Sequence, residues 1–250
     1  MNVKVKISIL SAIVVITVFA VLFASFSLGI IKLNNPSESK YPVRGVDVSS
    51  YQGDINWDVL TDQGINFAFI KATEGSAYKD AKFDENWKNA QQTDLYIGAY
   101  HFFSYDSSGK TQAENFISTV TPADNMLPPV IDIEYYGEYN KSPKKSEEVQ
   151  SELSELLNLL EDHYKAKPII YATIKSYNMY ISGNFSDYPI WIRNVFTSPK
   201  LSDGNDWLFW QYTDRGRLNG YNGDEKFIDL NVFNGSADEL KNLCLRSHID

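Results

Sequence analysis

Asp132 and Glu134 stand one residue apart at the end of the apolar run Leu127-Pro128-Pro129-Val130-Ile131-Asp132-Ile133-Glu134. On a β-strand, positions i and i+2 share a face at roughly 7 Å between Cα atoms, so the two carboxyl groups point the same way. Like charges that close do not both ionise cheaply, and whichever group keeps its proton has a raised pKa. Such a pair suits general acid/base work, one member giving a proton while the other stays negative. Two more acids, Asp47 in Val46-Asp47-Val48 and Asp229 in Phe227-Ile228-Asp229-Leu230, lie in short runs of the same kind.

Positioning four acids together requires a scaffold, and the chain from Val43 onward alternates short apolar runs with helix-compatible stretches. Residues 43–49, 66–73, 96–103, 130–134, 168–172, 189–195, 208–212 and 227–233 read as strands. Residues 57–63, 83–93, 110–120 and 146–164 carry helical patterns, the last with leucines at 153, 156, 157 and 160. Strands alternating with helices predict βα units around a parallel sheet, and eight strands invite closure. The expected fold is an α/β, irregular TIM-like β/α barrel with reduced helices in its second half. Its active face would be the C-terminal ends of the strands, where Asp47, Asp132, Glu134 and Asp229 converge. The structural alternative for Asp47 and Asp229 is turn capping or pairing with Lys71 or Arg193.

Composition bounds the function. The 250 residues suffice for one sizeable domain, and a net charge of −9 argues against a nucleic-acid partner. A single cysteine, Cys244, excludes an intrachain disulfide framework or a cysteine-based zinc site. Ser49-Ser50 has no nucleophile-elbow context, H-E-x-x-H is absent, and no P-loop or dinucleotide fingerprint occurs. No metal or cofactor is expected.

Behind Lys4 and Lys6, residues 7–31 form an uncharged stretch long enough to cross a bilayer. Its length favours a retained membrane anchor, residues 1–32, over a signal peptide cleaved near Ser25-Phe26-Ser27. The lysines would stay cytoplasmic and place everything after Lys32 outside the cell membrane. Residues 33–42 read as a linker and 43–250 as the catalytic barrel; cleavage of the leader would make the protein secreted.

Gly45-Val46-Asp47-Val48-Ser49-Ser50-Tyr51-Gln52-Gly53, Phe69-Ile70-Lys71-Ala72-Thr73-Glu74-Gly75, Gly98-Ala99-Tyr100-His101-Phe102-Phe103, the Asp132-Ile133-Glu134 step, Trp210-Gln211-Tyr212 and Asp229-Leu230-Asn231 occur in that order. Together they resemble glycoside hydrolase family 25, the lysozymes of the Chalaropsis type. The resemblance spans about Arg44 to Phe233. It implies an N-acetylmuramidase cutting the β-1,4 bond between N-acetylmuramic acid and N-acetylglucosamine, with peptidoglycan glycan strands as partner. By the same resemblance Glu134 is the general acid, Asp132 its assistant, and Asp47 and Asp229 complete the acidic site. Other classes that this pattern admits are a catalytically silent glycan-binding barrel and a chitinase-like β-glucosaminidase.

Tyr51, Tyr100, Tyr171, Trp191, Trp210 and Tyr212 fall at or just after strand ends, where ring faces can stack on sugars. Tyr100 and Trp210 also lie within the family-like motifs. His101 follows Tyr100, so strand alternation turns it away from the site and predicts a structural histidine. His163 and His248 carry no expected role.

Overall fold

The structure is a computed structural model that describes residues 3–245, with side chains from Ile9 onward; His248 and the end of the predicted barrel domain lie outside the described residues. After the N-terminal helix α1 (Val3–Ser27), the chain forms β1 (Arg44–Val48), α2 (Trp57–Thr61), β2 (Phe67–Glu74), β3 (Tyr78–Lys79), α3 (Phe83–Ala90) and β4 (Tyr96–Phe102). There follow α4 (Gly109–Thr119), β5 (Val130–Ile133), α5 (Ser146–Tyr164), β6 (Ile169–Thr173), α6 (Ile174–Ser176), β7 (Ile190–Arg193), β8 (Phe209–Gly216), β9 (Ile228–Phe233) and α7 (Ala237–Leu243).

The strands run in the order β1-β9-β8-β7-β6-β5-β4-β2, and a β1–β2 pairing closes the ring of eight; β3 is a short hairpin partner of β2. The barrel differs from the parallel sheet that the sequence pattern predicts. β9 pairs antiparallel with both β8 and β1. The reason is the connection: residues 217–227 contain no crossover helix, and without one the chain turns straight back beside the strand it left.

Strand alternation sends one set of residues into the barrel. Phe67, Phe69, Val130, Ile169, Trp191, Phe209 and Phe233 make its apolar floor, with Leu240 of α7 packed among them. Phe69 stacks on Trp191 at 4.5 Å and meets Phe209 edge-on at 5.1 Å. These rings fit because two strands carry glycine opposite them. A Cβ on Gly45 would lie 2.3 Å from the Phe67 ring, and one on Gly98 would lie 2.5 Å from Phe69.

Outside, α5 buries Leu153, Leu156, Leu157 and Leu160 completely, the face its leucine spacing predicts. Helical cover thins beyond β6, and the segment after α1 takes its place along β7 and β8. Asn34 donates to the Asn194 carbonyl at 3.1 Å, Arg44 donates to the Pro36 carbonyl at 2.5 Å, and Tyr41 packs against Trp207 and Trp210. His101 is fully buried, with Nδ1 at 2.7 Å from Thr73 Oγ1 and Nε2 at 3.1 Å from Gln112 Oε1. Burial pushes its pKa down to about 4, so it stays neutral as a structural residue.

Candidate active site

One step above the aromatic floor, the inward positions become polar. Asp47 stands two residues beyond Gly45, Tyr100 beyond Gly98, Asp132 beyond Val130, Tyr171 beyond Ile169, Arg193 beyond Trp191 and Gln211 beyond Phe209. On the antiparallel β9 the order inverts, so Asp229 sits near the strand's start yet at the same mouth, directly paired with Asp47. These residues line a cavity of about 550 Å³ together with Tyr51, Lys71, Phe102, Glu134, Asp214, Glu225 and Phe227. All four predicted carboxylates are therefore in one cleft.

A hydrogen-bonded chain fixes the floor of the cleft. Gln211 Nε2 and Asn231 Nδ2 both donate to Asp47 Oδ2, at 2.9 and 2.7 Å. Tyr171 donates its hydroxyl to Gln211 Oε1 at 3.0 Å, and Trp191 donates from Nε1 to Asn231 Oδ1 at 2.8 Å. Two amides thus hold one oxygen of Asp47 in place, and two aromatic side chains hold the amides.

The Asp132 and Glu134 environments differ. Asp132, next to last in β5, is 8% exposed, and its buried Oδ1 has no hydrogen-bond partner among the described residues. Glu134 lies just past the strand end and is half-buried at the opening. Burial pushes the Asp132 carboxyl well above the ordinary range, the charge of Glu134 adds to that, and Lys71 opposes it. Burial also raises Glu134, against the lowering effect of Arg193. Asp229 is raised strongly by burial and by its neighbour Asp47, while Asp47 is raised by burial against the two amide donors. All four carboxyls therefore keep their protons to higher pH than isolated carboxyls do.

Two cations limit that resistance from opposite walls. Lys71 on β2 and Arg193 on β7 stand across the barrel from each other, separated by β4, β5 and β6 on one side and by β1, β9 and β8 on the other. Each is tied at the rim: Lys71 Nζ to Glu74 at 2.7 Å and Arg193 Nη2 to Asp214 at 2.6 Å.

Two predicted aromatics do not join the site. Trp210 and Tyr212 point outward from β8, because the inward register of that strand belongs to Phe209 and Gln211. Trp210 donates from Nε1 to the Asn194 carbonyl at 2.8 Å and is packed by Tyr41 and Trp207; Tyr212 accepts from Arg44. Tyr171 and Trp191 do line the cleft, but as buried floor whose polar atoms are already engaged. Tyr100 is half-buried beside the acids, and Tyr51 stands 71% exposed at the lip. Gln211 and Asn231 are site residues that the sequence reading passes over. Their signal is a polar residue alternating with large apolar ones in a strand.

An eight-stranded barrel with paired carboxylates at its mouth and an exposed tyrosine at its lip has the groups that glycoside hydrolysis needs. The model of glycosyl hydrolases family 25 matches residues 46–221. Lysozyme M1 of Streptomyces globisporus is 37% identical over 212 residues, which cover 79% of this chain and 70% of that protein. A family 25 glycosyl hydrolase from Bacillus anthracis superposes with a TM-score of 0.80 at 52% identity, covering 85% of this chain and 97% of that one. The Streptomyces coelicolor lysozyme follows at a TM-score of 0.74 and 33% identity, covering 81% and 96%. The chain belongs to glycoside hydrolase family 25.

Proposed function

We propose that this protein is a peptidoglycan hydrolase that cuts the β-1,4 bond between N-acetylmuramic acid and N-acetylglucosamine, with Glu134 as general acid. Asp132 holds the substrate's 2-acetamido group. The observation that carries this division of labour is the unpartnered, buried Oδ1 of Asp132 beside the more open Glu134. In the free site Asp132 holds a proton readily, since burial and Glu134 both disfavour its charge. An acetamido N–H donated to Oδ1 stabilises the ionised form, and the shared proton passes to Glu134. Substrate binding thereby loads the acid. Glu134 then protonates the leaving glycosidic oxygen while the oxygen of the acetamido group, oriented through its N–H by Asp132, attacks the anomeric carbon; Glu134 takes a proton from the water that opens the resulting ring, and the anomer is retained.

Asp47 and Asp229 set the charge around this pair, and Tyr51 and Tyr100 offer ring surface to sugars. NMR of a fresh digest tests the route: the β anomer should appear first, and initial release of the α anomer would refute acetamido participation.

The apolar helix α1 has a span, Ile9–Ser27, long enough to cross a membrane, a property shared with signal sequences near an N-terminus. We read it as a retained anchor that keeps the catalytic barrel outside the cell membrane. The uncharged stretch of residues 7–31 and the lysines before that stretch, Lys4 and Lys6, support that reading. Alkaline extraction of membranes tests it: the full-length chain should stay in the pellet, and a shortened soluble chain would refute the anchor.

A further inference from the structure

The end of α1 is fastened to the barrel beside the catalytic mouth. Arg215 donates from Nη1 to the Ser27 carbonyl at 3.3 Å, and its guanidinium lies 4.7 Å from the centre of the Phe26 ring and 5.7 Å from that of Phe227. Gly29, at φ +67°, brings the backbone so close that a Cβ would stand 2.5 Å from Phe227. Phe227 itself lines the catalytic cavity. One ring therefore separates the point where the apolar span ends from the rim of the active site.

The hairpin at that point, residues 214–228, has a distinctive chemistry. The Arg217 guanidinium lies 5.4 Å from the same Phe227 ring, and Arg217 and Lys226 are exposed. Two guanidiniums thus flank one aromatic ring, with Lys226 exposed beside it in the chain, on a protein whose net charge is −9. Of the acids in the hairpin, Asp214 sits between Arg193 at 2.6 Å and Arg215 at 3.9 Å, Glu225 lines the cavity and Asp224 is exposed, so Arg217 and Lys226 are the cations without an acid partner among the described residues. Aromatic and cationic side chains at the end of an apolar span are the composition of a membrane interface, where phosphate headgroups supply the anions.

We propose that the β8–β9 hairpin, through Arg215, Arg217 and Lys226, seats on anionic phospholipid headgroups around α1, so that the catalytic mouth opens at the membrane surface. The substrate is then the membrane-proximal layer of glycan. This rests on the reading of α1 as a retained anchor. The segment between α1 and β1 reinforces it, because its contacts through Asn34 and Pro36 hold it against the barrel. A slack tether of ten residues would let the barrel wander by roughly 18 Å; a docked one does not.

The test uses the full chain with Cys244→Ser, reconstituted into phosphatidylcholine–phosphatidylglycerol vesicles that carry a lipid-bound energy acceptor. A donor dye is placed at Asp224→Cys on the hairpin, or at Asp162→Cys near the end of α5 at the opposite end of the barrel. Transfer should be several-fold stronger from position 224, and Arg215→Ala, Arg217→Ala and Lys226→Ala together, or neutral phosphatidylcholine vesicles, should shrink the difference. Retention after alkaline extraction with equal transfer from both positions would overturn the seating while sparing the anchor. Release on extraction would overturn both.

Discussion

Asp132→Asn isolates the coupling on which the proposed proton transfer depends. The two residues share a face with Cα atoms roughly 7 Å apart, and two unit charges at that separation interact by about 2.4 kcal/mol at an effective dielectric of about 20, or about 1.7 pKa units. Solvent at the half-open Glu134 side trims this to about 1 unit at the least. In the wild type the pair carries one proton when active, so activity falls on the alkaline side as that proton leaves. In Asp132→Asn no neighbouring charge retains it, and the alkaline limb should fall by about 1–2 units, on top of a large loss in kcat from the missing acetamido acceptor. The assay is the pH dependence of residual kcat/KM on soluble glycan oligomers, read by chromatography of the products. An alkaline limb that stays in place or moves up would refute the shared-proton account.

Arg193→Gln should move the same limb the other way, upward, because Arg193 lowers Glu134 and its removal lets the acid keep its proton to higher pH. Asp132→Asn should also stabilise the fold at neutral pH. A carboxyl whose folded pKa is raised contributes most below its unfolded pKa and loses stability as pH rises towards the folded value. Relieving about 1 kcal/mol should lift Tm at pH 7 by about 2–4 °C in calorimetry, with no gain at pH 3. Gly45→Ala should cost about 1–3 kcal/mol in denaturant unfolding, since its Cβ would collide with the Phe67 ring. Tyr51→Ala and Trp210→Ala should separate the lip from the scaffold. The first should raise KM by about 3–10-fold at unchanged Tm, and the second should lose about 3–5 kcal/mol of stability.

Much of this site is legible in the sequence because its signals are local. The Asp132-Ile133-Glu134 spacing fixes a common face once the run is a strand, and the α5 leucines fix a buried stripe in the same way. Phase across the sheet is a different matter. Trp210-Gln211-Tyr212 contains one inward and two outward residues, and only pairing with β7 decides which; the aromatics draw attention while Gln211 holds Asp47. Asp229 reaches the mouth as the parallel-barrel rule suggests, but by another route, near the start of an antiparallel strand rather than the end of a parallel one. The helix α7 is marked by a reciprocal cap between Ser236 and Glu239, a signal that strand-focused patterning passes over.

The most direct test of the central claim is a digest of purified peptidoglycan with the wild type and with Glu134→Gln, followed by borohydride reduction and mass spectrometry of the new ends. The wild type should yield muramitol ends, and Glu134→Gln should yield at least about 100-fold fewer at an unchanged Tm. Glucosaminitol ends, or undiminished cleavage by Glu134→Gln, would contradict it.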